Sequence, residues 1–124
     1  MINHSFNYAL VWASANTDKF WYKILQDLLS AWYKVIPINP KEKDILWQVV
    51  YSQLSDVPWT IDVVIFVVPP SVTEQLIDEV ALLWIKNIWL QPGSESELAL
   101  QKCNQFWINL IYNSCIMIQR KTNM

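Results

Sequence analysis

What this sequence has least of is glycine. Average usage near 7% would put about nine glycines in a chain of this size, yet among 124 residues only Gly93 is present. Glycine is the default wherever backbone must take positive φ, so its scarcity leaves few obvious places for tight turns, helix C-terminal caps or loops that hug a phosphate. Charge is also sparse: nine Lys and Arg are scattered among eleven Asp and Glu, for a net charge of −2. No basic stripe is present to displace counterions from DNA or RNA, which argues against a nucleic-acid partner. The two cysteines, Cys103 and Cys115, lack metal-ligand spacing. They read as reduced, mostly buried thiols, with a disulfide or redox role as the alternative.

Long apolar runs are missing as well. Although 53% of the residues are hydrophobic, the stretch from Ile61 to Val72 is interrupted by Asp62 and by Pro69-Pro70. It falls well short of the ~20 residues a membrane span requires, and no basic, apolar leader opens the chain. The expectation is a cytoplasmic protein off the membrane: one domain over residues 1–124, with 1–6 and 119–124 as frayed tails. A chain of this length buries roughly two-thirds of the surface its unfolded form exposes.

What is present in excess is tryptophan, with eight copies. Their placement becomes informative once the elements are laid out. Tyr8 to Val11 is a short apolar strand, and Asp18 to Ala31 carries Phe20, Ile24, Leu25, Leu28 and Leu29 at helical spacing. Tyr33 to Ile38 is a second strand, stopped by Pro37, Asn39 and Pro40. Residues 41–47 read as a loop or weak turn, followed by a short strand at Val49 to Tyr51. The β-branched run IDVVIFVV, residues 61–68, has the character of a central strand buried on both faces. Ser71 with Glu74 forms a capping-box pattern opening a helix to about Leu83. A strand at Lys86 to Leu90, a helix from Ser94 to Phe106 with Ser94 and Glu97 again in capping-box register, and a strand at Ile108 to Tyr112 complete the chain. Strands alternating with helices predict an α/β, Rossmann-like, doubly wound fold: a mainly parallel sheet of five to six strands with helices on both faces.

Against this skeleton, seven of the eight tryptophans fall where the fold asks for glycine. Trp12 lies in the first strand-to-helix turn and Trp21 at the following helix start. Trp32, Trp84 and Trp107 come just after helices, at sites that favour left-handed backbone; Trp47 and Trp59 lie in loops. Trp89 alone sits inside a strand, where an aromatic belongs. The expectation is that the seven are glycine in the natural protein, through the codon UGA, which some bacterial lineages read as glycine and other tables read as tryptophan. Deliberate glycine-to-tryptophan engineering is one alternative. Genuine tryptophans that stack on a sugar or a base are another.

With those seven positions read as glycine, the first motif becomes V-G-A-S-x-N-x-x-K-x-G-Y. Here the chain resembles the small single-domain CoA-binding proteins, the family related to the CoA-binding domain of the succinyl-CoA synthetase alpha subunit. The resemblance runs from about residue 8 to 118 and rests on VWASAN (11–16), KFWY (19–22), YKVIPINPK (33–41), ILWQVVYSQLSDVP (45–58), IDVVIFVVPP (61–70), IKNIWLQPGSESE (86–97) and CNQFWINLIYNSCIM (103–117). It implies coenzyme A or an acyl-CoA as ligand, lying across the carboxyl ends of the strands. Trp12, Ala13, Ser14 and Asn16 would be the phosphate-facing turn, running on through Lys19, Trp21 and Tyr22 into the helix. Asn39, Pro40 and Lys41 would line the adenosine pocket, with Lys19 and Lys41 supplying charge to phosphates. Val68, Pro69 and Pro70, with Gln91 and Gly93, would shape the pantetheine channel. Asn39-Pro40 also reads as a plain turn, Pro69-Pro70 as a helix start and either lysine as a solvated charge.

No catalytic constellation is visible. The ligase relatives work through a phosphorylated histidine in a second domain, whereas His4 is the only histidine here. Glu95 and Glu97 read as first-turn helix residues. The leading reading is a non-catalytic CoA-binding or sensor module. The alternatives are a small nucleotide- or NAD-using enzyme of the same fold, or a regulatory subunit of an acyl-CoA enzyme. Asn39 stands where a dinucleotide site usually carries Asp or Glu for the ribose 2′-OH, which weakens the NAD reading. An exposed Trp and Tyr surface is compatible with a homodimer or a partner enzyme.

Overall fold

A computed structural model describes residues 2–12 and 20–122. Five strands form one parallel sheet in the order β2-β1-β5-β6-β7: β1 is Asn7–Trp12, β2 Lys34–Ile38, β5 Val63–Val67, β6 Asn87–Leu90 and β7 Asn109–Ile111. The β-branched run thus supplies the middle strand, and four of its five residues are buried. Between β2 and β5 lie a small antiparallel hairpin, β3 (Asp44–Ile45) with β4 (Gln48–Val49), and a 3-10 turn at Leu54–Asp56. The helices are α1 (Phe20–Ser30), α2 (Pro70–Leu82), α3 (Glu97–Gln105) and α4 (Ile116–Thr122).

Alternation along each strand sorts the core into two layers. Ala9, Val11, Val64, Phe66, Ile88 and Leu90 face α2 and α3, where Ile77, Val80, Ala99 and Cys103 meet them. Tyr8, Leu10, Val63, Ile65 and Trp89 face the other way, onto Ile24, Leu25 and Leu28 of α1 and Ile116 of α4. Helices therefore cover both faces, as the α/β pattern predicts. Among the described residues, no helix is long and apolar enough to cross a membrane.

Several local expectations are corrected. Ser71 does not cap α2: the N-cap is Pro69, with Pro70 at the first helical position, where its missing N–H costs nothing. Ser94 does not cap α3; Ser96 does, its hydroxyl accepting from the Ala99 N–H. Ser94 is buried instead, where its hydroxyl receives the Val68 N–H and donates to the Phe66 carbonyl. Residues 41–47, expected as a loop, include β3. The C-terminal stretch expected to fray continues α4 through Thr122, pinned by a two-pronged Arg120–Asp27 pair at 2.6 and 2.7 Å. His4 is also tied down, stacked on Tyr33 at 3.9 Å with Nε2 3.0 Å from the Ala31 carbonyl oxygen.

Three helix ends share one geometry. After α1, α2 and α3 the chain turns through Trp32, Trp84 and Trp107 at φ 69°, 60° and 61°. In each case the next residue donates five positions back, Tyr33 to Leu28, Ile85 to Val80 and Ile108 to Cys103, at 3.0, 3.2 and 2.9 Å. This is the Schellman cap, whose left-handed residue is ordinarily glycine. The β3–β4 hairpin turns on Leu46 and Trp47, both at positive φ (51° and 65°), the conformation for which Asn-Gly is the favoured pair.

The two cysteines are unbridged and differ in environment. Cys103 is fully buried in the α2–α3 layer, and burial pushes its thiol up to about 11. Cys115 is half-buried, with Sγ accepting from Gln91 Nε2 at 3.3 Å. Alkylation of the folded protein at neutral pH is therefore expected to label Cys115 well before Cys103, a difference that peptide mass mapping with and without denaturant reads directly. Equal labelling in the fold would contradict the placement of Cys103.

Candidate functional site

All five sheet strands run parallel, so their carboxyl ends share one edge. Trp12, Asn39, Val68 and Gln91 lie at or just beyond the ends of β1, β2, β5 and β6, on that edge. A cavity of about 330 Å³ opens there beside β1 and β2. Trp12, Asn39, Pro40 and Lys41 line it, as do Val11 and Ile38 from the strand ends. The remaining wall is Ser52, Gln53 and Leu54 on one side and Val72, Leu76 and Glu79 of α2 on the other.

These last six were not anticipated from sequence. Ser52 to Leu54 reach the site because the preceding segment docks beside β2: the Asn39 N–H donates to the Tyr51 carbonyl at 2.9 Å, and the Tyr51 N–H to the Pro37 carbonyl at 3.1 Å. Val72, Leu76 and Glu79 follow helical spacing, but that spacing alone does not distinguish a cavity-lining stripe from a core-facing one.

Asn39 lines this cavity and acts as a clamp. It is 1% exposed; its Nδ2 donates to the Trp12 carbonyl at 3.0 Å, and its Oδ1 accepts the Lys41 N–H at 2.8 Å. One buried amide thus ties the end of β1 to the turn after β2 and sets where Lys41 starts. Replacing Asn39 by Ala orphans two backbone groups, at a cost of about 1–3 kcal/mol. Thermal unfolding of Asn39→Ala is expected to show that loss, and Asn39→Asp to recover only the Lys41 half of it.

The residues expected to shape a pantetheine channel lie on the same edge but outside this cavity. Gln91 is fully buried and occupied, its Oε1 accepting the Ile116 N–H at 2.8 Å and its Nε2 bonded to Cys115. It fastens the start of α4 to the end of β6. Gly93 sits at φ 99° in the turn after β6, with open space where a Cβ would be. Val68 is buried, and Pro69 and Pro70 start α2. Ala13, Ser14, Asn16 and Lys19 lie outside the described residues.

Trp12 and Trp21 do not suit a phosphate seat. Their rings stack at 4.4 Å, 12° from parallel, at the junction of β1 and α1, and Trp21 meets Tyr22 edge-on. Trp12 is 2% exposed yet belongs to neither core layer. Its buried Nε1 has no hydrogen-bond partner among the described residues, an arrangement natural folds rarely keep. The cavity thus combines apolar walls from Val11, Ile38, Val72 and Leu76 with the Lys41 cation at its rim.

Comparison with known proteins identifies the family. The sequence profile of a family described as "CoA binding domain" matches residues 7–121. The ADP-forming acetate–CoA ligase of Methanocaldococcus jannaschii is 29% identical over 97 residues, covering 78% of this chain; the chain spans 14% of that ligase's length. A conserved hypothetical protein of Pyrococcus furiosus superposes with a TM-score of 0.86 at 36% identity, over 92% of this chain and 98% of that one. The dinucleotide-forming acetyl-coenzyme A synthetase 1 of Ca. Korarchaeum cryptofilum, in its apo form, matches with a TM-score of 0.71 at 26% identity, over 87% of this chain and 26% of that one.

Proposed function

Because the chain belongs to the CoA-binding domain family, we propose that it binds coenzyme A or an acyl-CoA at the carboxyl edge of its sheet, as a binding or sensor module rather than a catalyst. The observation that carries this reading is the cavity beside β1 and β2, where Asn39, Pro40 and Lys41 meet Val72 and Leu76 of α2. Apolar walls suit the faces of an adenine, and the exposed Lys41 at the rim suits a phosphate. The ligand would then run along the strand ends past Val68, Pro69 and Pro70 toward Gln91 and Gly93. NAD is a poorer match: Asn39, whose amide is already committed to two backbone groups, stands where a ribose-binding carboxylate is expected.

The test is thermal unfolding of protein purified from its own cells and cleared of ligand, with CoA or NAD added. A ligand at 100 times its dissociation constant stabilises by about 2.7 kcal/mol, so CoA should shift the curve upward and NAD should leave it in place. The reverse ranking would assign the site to a dinucleotide instead.

A further inference from the structure

We infer that the protein as its own cell makes it carries glycine, not tryptophan, at positions 12, 32, 47, 84 and 107. This stands on backbone and packing alone and is independent of the CoA reading.

Six non-glycine residues among those described have positive φ, and four of them are Trp32, Trp47, Trp84 and Trp107. A bulky residue there is a genuine outlier, unlike Asn113 at φ 61°, which tolerates the region well. Nor do these four side chains bring compensation. They are 79% to 101% exposed, and the ring contact found among them is Lys86 Nζ over Trp84 at 5.2 Å. Backbone geometry that calls for no side chain thus coincides with side chains that bury almost nothing.

Trp89 is the internal control. It is fully buried in the α1 layer of the core, at ordinary strand geometry, and its Nε1 donates to the Ser114 carbonyl at 2.8 Å. Trp12 is the contrast, with a buried indole nitrogen that finds no partner among the described residues. Its ring stacks on that of Trp21 at 4.4 Å. Trp21 and Trp59 give no such signal: neither has positive φ, and their rings meet Tyr22 and Tyr51 edge-on at 5.7 and 6.1 Å.

One codon would explain the set: if UGA is read as glycine in the cell of origin, positions encoded by UGA are glycine there, and a UGG codon at 89 keeps tryptophan. Trp21 and Trp59 would join the others if they share the UGA codon, and the glycine count would then approach the about nine expected for this length.

The experiment is peptide mass mapping of the protein purified from its own cells. Glycine at 12, 32, 47, 84 and 107 and tryptophan at 89 is the expected result. Tryptophan at any of the five would overturn the inference, whether or not the preparation binds CoA. As a second readout, Trp32→Gly, Trp47→Gly, Trp84→Gly and Trp107→Gly combined should melt higher than the chain as written. A lower melting point would contradict the assignment of these positions to glycine.

Discussion

Trp12→Gly combined with Trp21→Gly should strengthen CoA binding by at least ~100-fold over the chain as written. Hydrogen bonds to a charged group contribute about 1.5–3 kcal/mol each, and two regained at a pyrophosphate give on the order of 10²–10⁴ in affinity. The stacked indoles belong to the last residue of β1 and the first turn of α1, and the double change removes both side chains from between these elements. Trp12 is buried, so its removal leaves a cavity as well as an opening, although its indole nitrogen has no partner among the described residues to lose. Titration calorimetry on the double variant, with its melting curve as the control for folding, decides the point. Unchanged affinity in a folded variant would mean that phosphate sits elsewhere.

The combined replacement of Trp32, Trp47, Trp84 and Trp107 by glycine should raise the melting temperature by on the order of 10–20 °C. Left-handed backbone costs a non-glycine residue ~1–2 kcal/mol, which four positions multiply to ~4–8, a large share of a domain's ~5–15 kcal/mol. Glycine's greater freedom in the unfolded chain returns part of this, leaving about 1 kcal/mol per site, or some 3–5 °C each at this chain length. Trp89→Gly is the opposite case. It empties a buried site and cuts the bond to Ser114, so it should destabilise by roughly 3–5 kcal/mol. If both variants were destabilised, the distinction drawn between Trp89 and the rest would be wrong.

The fold was legible where pattern alone decides it. The run at 61–68 announces a strand buried on both faces, and it is the middle one; the alternation of strands and helices predicts the layers. Capping was misplaced because serines at 71, 94 and 96 offer overlapping signatures, and only the surroundings choose among them. Ser94 is drawn inward by the Phe66 carbonyl, which leaves the cap to Ser96. Helix α4 was missed because seven residues carry little periodic signal and its anchor, Asp27, lies 93 positions away in sequence. The hairpin was missed for a different reason. Leu46-Trp47 hides the turn that a glycine at 47 would have advertised.

The site was half legible. The I-N-P-K stretch carries the resemblance, and the structure places Asn39, Pro40 and Lys41 on one cavity with Trp12. The sequence suggested ligand contact for Asn39 and Gln91, whose amides are engaged in holding backbone together. On the opposite wall, Ser52 to Leu54 lie within a stretch that carries the resemblance but suggested no site role, and they reach the cavity because the Tyr51 segment pairs beside β2.

The measurement that tests this account most directly is a crystal structure of the chain carrying glycine at the seven positions, grown with CoA. The account predicts adenine in the cavity between Lys41 and α2, phosphates between the end of β1 and the first turn of α1, and the pantetheine arm along the strand ends toward Gly93. An empty carboxyl edge at saturating CoA, or CoA bound on another face, would contradict it.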